Sequence, residues 1–214
     1  MSRIAPGRAA RAALLALTLL PLHACDRHGS RVVSPSGVVW NRITPPGASE
    51  ADWPDWRRDS IAFQVRVQGL DRIAVALEDG SGLEIEPESP TAGARNPRWV
   101  RPGIVYVEGT DPDSGRLVLI PDTTAVPLGK IYLTPGSLGA GEPDWNPAGD
   151  QICFTVRGPN ATSQIWRLSL TDTLPIQLTV APSGNPSGGP QVDRSPKWSP
   201  DGSGILMSSN RGGL

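Results

Sequence analysis

The chain has 214 residues, with 20 lysines and arginines against 21 aspartates and glutamates, and it carries 24 glycines, 23 prolines and 7 tryptophans. The near-neutral charge excludes a basic nucleic-acid surface, so no nucleic-acid partner is expected, and the tryptophans argue against a disordered low-complexity chain despite the Gly and Pro content. That composition fits many short strands joined by many turns, in one all-β domain or two small ones.

The chain opens with Arg3, Arg8 and Arg11, followed by the apolar run Ala12–Leu22. A basic start, a short apolar middle and small residues at the end are the parts of a secretory signal. The run falls short of the roughly 20 apolar residues that a membrane-spanning helix needs. It ends in Leu22-His23-Ala24-Cys25, which resembles a bacterial lipobox. The resemblance implies a lipoprotein signal peptide over 1–24, diacylglyceryl attachment to the Cys25 thiol, and cleavage before that residue. An ordinary secreted protein with a cysteine near its leader is the alternative. Several acyl chains suffice for stable anchoring, since each buried methylene contributes about 0.8 kcal/mol. The expected location is the extracytoplasmic (periplasmic) side of the cell envelope, with the membrane engaged through the lipid. Residues 25–48 then hold the lipidated cysteine, a polar tether and a candidate closing strand at Val38-Val39-Trp40. With Cys25 acylated, Cys153 has no disulfide partner and reads as a small strand residue.

From residue 54 onward a motif recurs: Pro-x-Trp, a turn, then an apolar strand. Its copies are Pro54-Asp55-Trp56 before Ile61, Pro97-Arg98-Trp99 before Ile104, Pro143-Asp144-Trp145 before Ile152, and Pro196-Lys197-Trp198 before Ile205. The tryptophans are separated by 43, 46 and 53 residues, the scale of a small sheet. The spacing from Trp to the strand is five in the first two copies and seven in the last two. Ile61, Phe63 and Val65 alternate with Ala62, Gln64 and Arg66, which predicts half-buried strands. In Ser199-Pro200-Asp201-Gly202, proline presets φ, Asp201 bonds local backbone and Gly202 accepts positive φ. Further strands are expected at 72–77, 116–120, 130–133, 164–168 and 176–179. Three or four strands in about 45 residues make one propeller blade.

The segments Ser195–Gly213 and Glu142–Phe154, with Gln164–Leu168 and Gln177–Thr179, resemble the TolB-type (WD40-like) propeller repeat. The resemblance covers about residues 50–214 and implies an all-β propeller with a central channel and binding surfaces on its faces. The predicted blades span 49–95, 96–141 and 142–193, with the truncated start of a fourth at 194–214. A β-sandwich with coincidental tryptophans is the other architecture considered. A propeller needs about four to eight blades, so the chain reads as a fragment or an incomplete ring whose open edges favour self-association.

Histidine occurs only at 23 and 28, which leaves the repeat region without His-dependent catalysis or its commonest zinc ligand. No nucleophile elbow, P-loop or Cys-x-x-Cys is present. No catalytic residue, metal or cofactor is therefore expected. Asp111-Pro112-Asp113-Ser114-Gly115 lacks the later ligands of a calcium loop and reads as a hairpin turn. Trp56, Trp99, Trp145 and Trp198 are expected to pack blade against blade, as is Trp166 within its strand. Arg66, Arg157 and Arg211 lie just beyond the motif strands and form a candidate anion-binding rim, interrupted at Glu108-Gly109. Pairing of these arginines with a neighbouring blade's aspartate, such as Asp144 or Asp201, is the structural alternative.

These features point to a non-enzymatic, lipid-anchored scaffold that binds envelope proteins. Two other readings stay open: the propeller fragment of a prolyl-oligopeptidase-type hydrolase, and a glycan- or small-ligand-binding propeller. For the anchor, a palmitate analogue should label the wild-type protein and leave Cys25→Ala unlabelled; equal labelling of both would exclude Cys25 as the acceptor.

Overall fold

Every tryptophan of the repeat lies in the last two residues of one strand, opposite an isoleucine in the first two of the next. The structure, a computed structural model, describes residues 43–85, 92–111, 114–121, 129–172, 174–180 and 189–211. The leader, Cys25 and the Val38–Trp40 segment lie outside the described residues. The first sheet contains β1 (Glu50–Arg57), β2 (Ser60–Val67), β3 (Leu70–Leu77) and β4 (Glu84–Ile85). The second contains β5 (Gly93–Val100), β6 (Gly103–Asp111), β7 (Ser114–Pro121) and β8 (Ile131–Tyr132). The third contains β9 (Ala140–Trp145), β10 (Gln151–Arg157), β11 (Ser163–Ser169) and β12 (Ile176–Gln177), and the fourth pairs β13 (Asp193–Trp198) with β14 (Ile205–Ser209). Each is an antiparallel meander in chain order. The sheets pack one on the next, with β1, β5, β9 and β13 side by side. This is a partial β-propeller: three blades and the first two strands of a fourth, an arc that does not close among the described residues.

One register runs through all four blades. Trp56 faces Ile61, Trp99 faces Ile104, Trp145 faces Ile152 and Trp198 faces Ile205. The two spacings seen in the sequence differ only in the turn. Arg58-Asp59 and Arg101-Pro102 make two-residue hairpins, whereas Asn146–Asp150 and Ser199–Gly204 are longer turns that put two more residues between Trp and Ile. In the longer turns a side chain replaces the missing ladder. Asn146 Oδ1 accepts from the N–H groups of Gly149, Asp150 and Gln151 at 3.0, 3.1 and 3.1 Å. Asp201 Oδ1 accepts from the Ser199 hydroxyl at 2.6 Å and the Ser203 N–H at 3.1 Å, and these bonds hold its pKa down at about 2. Gly202, at φ 73, closes the turn by donating to Ser199 O at 2.9 Å.

The motif's proline sits inside a strand. The Pro-x-Trp tripeptides lie in the last residues of the inner strands β1, β5, β9 and β13, so blades 2, 3 and 4 start one to three residues earlier than predicted. The boundaries drawn at 95/96, 141/142 and 193/194 fall within β5, β9 and β13. Proline cannot donate to a ladder, and each inner strand accommodates it with a bulge. The register shifts at Asp52/Asp55, Arg95/Arg98 and Arg194/Lys197, and in β9 opposite Cys153/Thr155. The residue before each proline is left-handed: Trp53, Asn96, Glu142 and Ser195 have φ of 54, 52, 48 and 51°. For L-residues that conformation costs about 1–2 kcal/mol each.

The second strands of blades 1, 2 and 3 are buried on both faces, not one. Ala62, Cys153 and Thr155 are as enclosed as their apolar neighbours, because a blade packs on each side. Between blades 1 and 2 lie Ile73, Ala94, Ile104, Tyr106 and Val118, with Trp99 packed against them. Between blades 2 and 3 lie Val105, Val107, Leu117, Ile152 and Phe154, with Trp145 and Trp166 against them. The far face of blade 1 carries Ile61, Phe63 and Val65, covered by Ile43, Ala48 and Leu83. Trp56 and Leu206, in contrast, are exposed. Cys153 is buried, and burial with the nearby Asp144 charge pushes its thiol up to about 12, so it is an inert core group.

Turns of neighbouring blades touch where glycine permits. A Cβ on Gly149, at φ 77, would lie 3.4 Å from the Arg101 side chain, whereas one on Gly204 would meet nothing closer than 4.0 Å. Gly149→Ala should therefore cost about 1 kcal/mol and lower the Tm by roughly 2–4 °C. Gly204→Ala should leave the melt unchanged.

Candidate functional site

The four strained bulge residues converge on the axis. Trp53, Asn96, Glu142 and Ser195 together line a small crevice beside Arg98 and Lys197. Above it opens a cavity of about 300 Å³ lined by Trp53, Asn96 and Glu142 with Arg95, Arg157 and Arg194. Backbone strain concentrated at one place marks it as a functional candidate. The bulge turns residues that a regular strand would point into the blade so that they face the axis.

The backbone groups freed by the bulges are satisfied across blades. The Asn96 N–H donates to Gln64 Oε1 of blade 1 at 3.3 Å, and the Ser195 N–H donates to Glu142 Oε2 of blade 3 at 2.7 Å. Thr155 adds its hydroxyl to the same Glu142 oxygen at 2.8 Å. The residue between Pro and Trp alternates in sign around the axis: Asp55, Arg98, Asp144, Lys197. Asp55 accepts from the Trp99 N–H at 2.6 Å, and Asp144 accepts from the Trp198 N–H at 2.9 Å. Arg98 lies between the two acids, 3.6 Å from Asp55 and 3.9 Å from Asp144, and Lys197 reaches Asp144 at 2.8 Å. Each aspartate thus joins its own blade to the next through a backbone bond and an ion pair.

Two further carboxylates are buried within blades. Glu108 accepts from Arg116 and Lys130 in blade 2, and Arg116 stacks 3.8 Å from the Tyr132 ring centroid. Asp193 accepts from Ser209 at 2.7 Å and from Arg211 at 3.1 and 2.6 Å. Burial pushes both carboxyl groups up. The bonds from Arg116 and Lys130, and from Arg211, Ser209 and Thr179, outweigh it and hold both below the ordinary carboxylate value.

The candidate rim is built differently from its sequence reading. Arg66 is held by Asp71 at 2.9 Å and Glu50 at 2.8 Å, both in its own blade. Arg211 is held by Asp193, not by Asp144 or Asp201. It also stands one residue past the position equivalent to Arg66 and Arg157, which Gly109 occupies in blade 2 and Asn210 in blade 4. A one-residue slip in a strand turns a side chain to the other face. Arg157 lines the axial cavity, while Arg66 and Arg211 do not. The residues that join it there, Arg95, Arg194 and Trp53, were missed from sequence. Aligning the repeats on proline displays them as columns two and one positions before it.

Among the described residues no group of three or more His, Cys, Asp or Glu side chains could hold a metal ion. Strands β6 and β7 pair at the predicted hairpin, Asp111 opposite Ser114, and residues 112 and 113 lie outside the described ones. No helix among the described residues is long and apolar enough to cross a membrane.

No protein-family model matches the sequence, and no curated protein does. Solved structures do match the fold. TolB from Acinetobacter baumannii superposes with a TM-score of 0.55 at 22% identity over 72% of this chain and 37% of its own. A provisionally assigned TolB from Agrobacterium tumefaciens gives 0.56 at 18% over 73% and 52%. Oligogalacturonate lyase from Vibrio parahaemolyticus gives 0.52 at 14% over 72% and 43%. The fold is that of a TolB-like β-propeller, in part. The chain spans between 37% and 52% of the length of these structures.

Two outcomes are expected. Asp144→Ala strands the Trp198 N–H and should cost about 1–3 kcal/mol in thermal denaturation, whereas Asp144→Asn keeps an acceptor and should cost less. The depressed pKa values of Glu108 and Asp193 contribute stability that is complete above the unfolded carboxylate value near about 4 and is lost as pH falls through the folded values. The Tm should accordingly drop below about pH 4, and Glu108→Gln should flatten that dependence.

Proposed function

We propose that this chain belongs to a non-enzymatic β-propeller scaffold that binds proteins in the bacterial cell envelope, held at the membrane by lipid on Cys25 and presenting its axial cavity to a partner. The observation that carries this reading is the axial convergence of four strained bulge residues with three arginines and an exposed indole, on a TolB-like propeller. Arginine and tryptophan are the side chains that most often dominate protein-binding surfaces, and guanidinium groups recognise without reacting. Fold likeness at these identities speaks to architecture alone, so the activity rests on the site. The lipobox-like Leu22–Cys25 segment and the likeness to TolB structures support an envelope location. The lyase among the structural neighbours keeps a carbohydrate ligand as the competing outcome; nothing at the axis favours the hydrolase-fragment reading.

A photo-crosslinking residue placed at Trp53 should give covalent protein adducts in the membrane fraction of the source cells, and one placed at Glu78, on an exposed turn of blade 1, should not. Equal adducts at both positions, or none at Trp53, would count against the scaffold.

A further inference from the structure

The axial cavity owes its charge to a repeat position that changes character from blade to blade. The column two residues before the motif proline reads Asp52, Arg95, Gly141, Arg194. In register these residues lie opposite Gln64, Val107, Thr155 and Ser208, so all four occupy the same place in their blades. Two arginines thus stand two blades apart, facing the same way, with a glycine in the blade between them. A Cβ built on Gly141 would meet nothing within 4 Å, and its φ is not left-handed. The absent side chain leaves the gap between Arg95 and Arg194 open, and Arg157 from β10 of the same blade lines the same cavity.

The lining is rich in donors, and two of its side-chain acceptors, on Gln64 and Glu142, are engaged. Gln64 Oε1 takes the Asn96 N–H, and Glu142 takes the Ser195 N–H and the Thr155 hydroxyl. The Ser163 hydroxyl donates to Asp193 O at 2.9 Å. Three guanidinium groups, of which Arg157 has a partner in the fold, and one carboxylate, that of Glu142, line the cavity. Arg95 donates to Asp111 O at 2.7 Å, a neutral acceptor, and burial pushes its pKa down against the attraction of Asp71 and Asp111. Its charge is therefore only partly compensated. Arg194 is exposed, and its side chain makes no hydrogen bond or ion pair among the described residues. Such a site favours an anionic ligand rich in hydrogen-bond acceptors. Neutral sugars carry no charge for the guanidinium groups to meet. A peptide carrying aspartate or glutamate offers carboxylates and backbone carbonyls, and its aliphatic carbons can pack on the Trp53 indole.

We propose that the axial cavity seats an acidic segment of a partner protein, with a carboxylate between Arg95 and Arg194 over Gly141, reached by Arg157 and flanked by Trp53. The inference deepens the scaffold reading and rests on it.

The test uses the purified protein with a capped hexaglutamate peptide, its hexaglutamine counterpart and a uronic acid hexasaccharide, each titrated by calorimetry. The glutamate peptide should bind and the glutamine peptide should not, and raising salt from 50 to 500 mM should weaken binding by about tenfold or more. Arg194→Glu should weaken it at least tenfold with an unchanged Tm, because Arg194 supports nothing in the fold. Gly141→Phe should block it by filling the gap, and Gly204→Ala should not matter. Equal affinity for the glutamine peptide, or an unaffected Arg194→Glu, would overturn the proposal. Binding of the hexasaccharide in place of the glutamate peptide would overturn it in favour of an acidic glycan. Crosslinks at Trp53 without glutamate-peptide binding would leave the scaffold standing and this inference refuted; peptide binding without crosslinks in cells would do the reverse.

Discussion

A proline inside the innermost strand of every blade is the constraint from which the rest of the structure follows. Proline has no N–H to give to the ladder, so the strand must bulge there, and the residue before it moves into the left-handed region. Trp53, Asn96, Glu142 and Ser195 all adopt that conformation at equivalent positions. The same bulge sets the direction of the residues on either side. The position after the proline points between blades, where Asp55, Arg98, Asp144 and Lys197 link neighbour to neighbour. The position before it points to the axis. The tryptophan that follows returns to regular pairing, opposite the first isoleucine of the second strand.

Charge alternation makes this arrangement self-consistent. Two aspartates cap tryptophan N–H groups of the next blade, and cations stand beside them, so no acid is left buried alone. Blades 2 and 4 carry a second device, a buried carboxylate (Glu108 or Asp193) opposite a small or polar residue, where blades 1 and 3 use the apolar pairs Val65–Ala51 and Val156–Ala140. Removing one partner of such a buried pair costs more than the pair contributes net, because the remaining charge is stranded. The blades are alike in register and unlike in chemistry, and that difference gives the axial cavity its cationic side.

Much of this was legible along the chain. The strand-sized Pro-x-Trp period, the turn chemistry around Asp201, and the strands at 72–77, 116–120 and 164–168 all stand where the pattern puts them. The inner strands were not legible as strands. Ala140-Gly141-Glu142-Pro143-Asp144-Trp145 has neither an apolar alternation nor strong β-formers, and its proline argues against a strand in isolation. Such a segment is a strand because a bulge and a flanking β10 supply what its sequence lacks. The half-buried reading of the second strands failed for a related reason. Alternation reports one packed face, whereas stacked blades bury both.

The sequence by itself determined the repeat, its register and the class of fold, because Trp–Ile pairing, turn residues and strand length are local properties that recur with the period. It also determined which side chains are available at each repeat position. Only the tertiary structure decided which of those side chains meet. Arg66 and Arg157 look equivalent along the chain, yet Arg157 lines the axial cavity and Arg66, paired with Asp71 and Glu50 in its own blade, does not. Arg95 and Arg194 lie far apart in sequence and were unremarkable there. They share a cavity because the sheets stack around an axis, and because the intervening blade places a glycine at the same register.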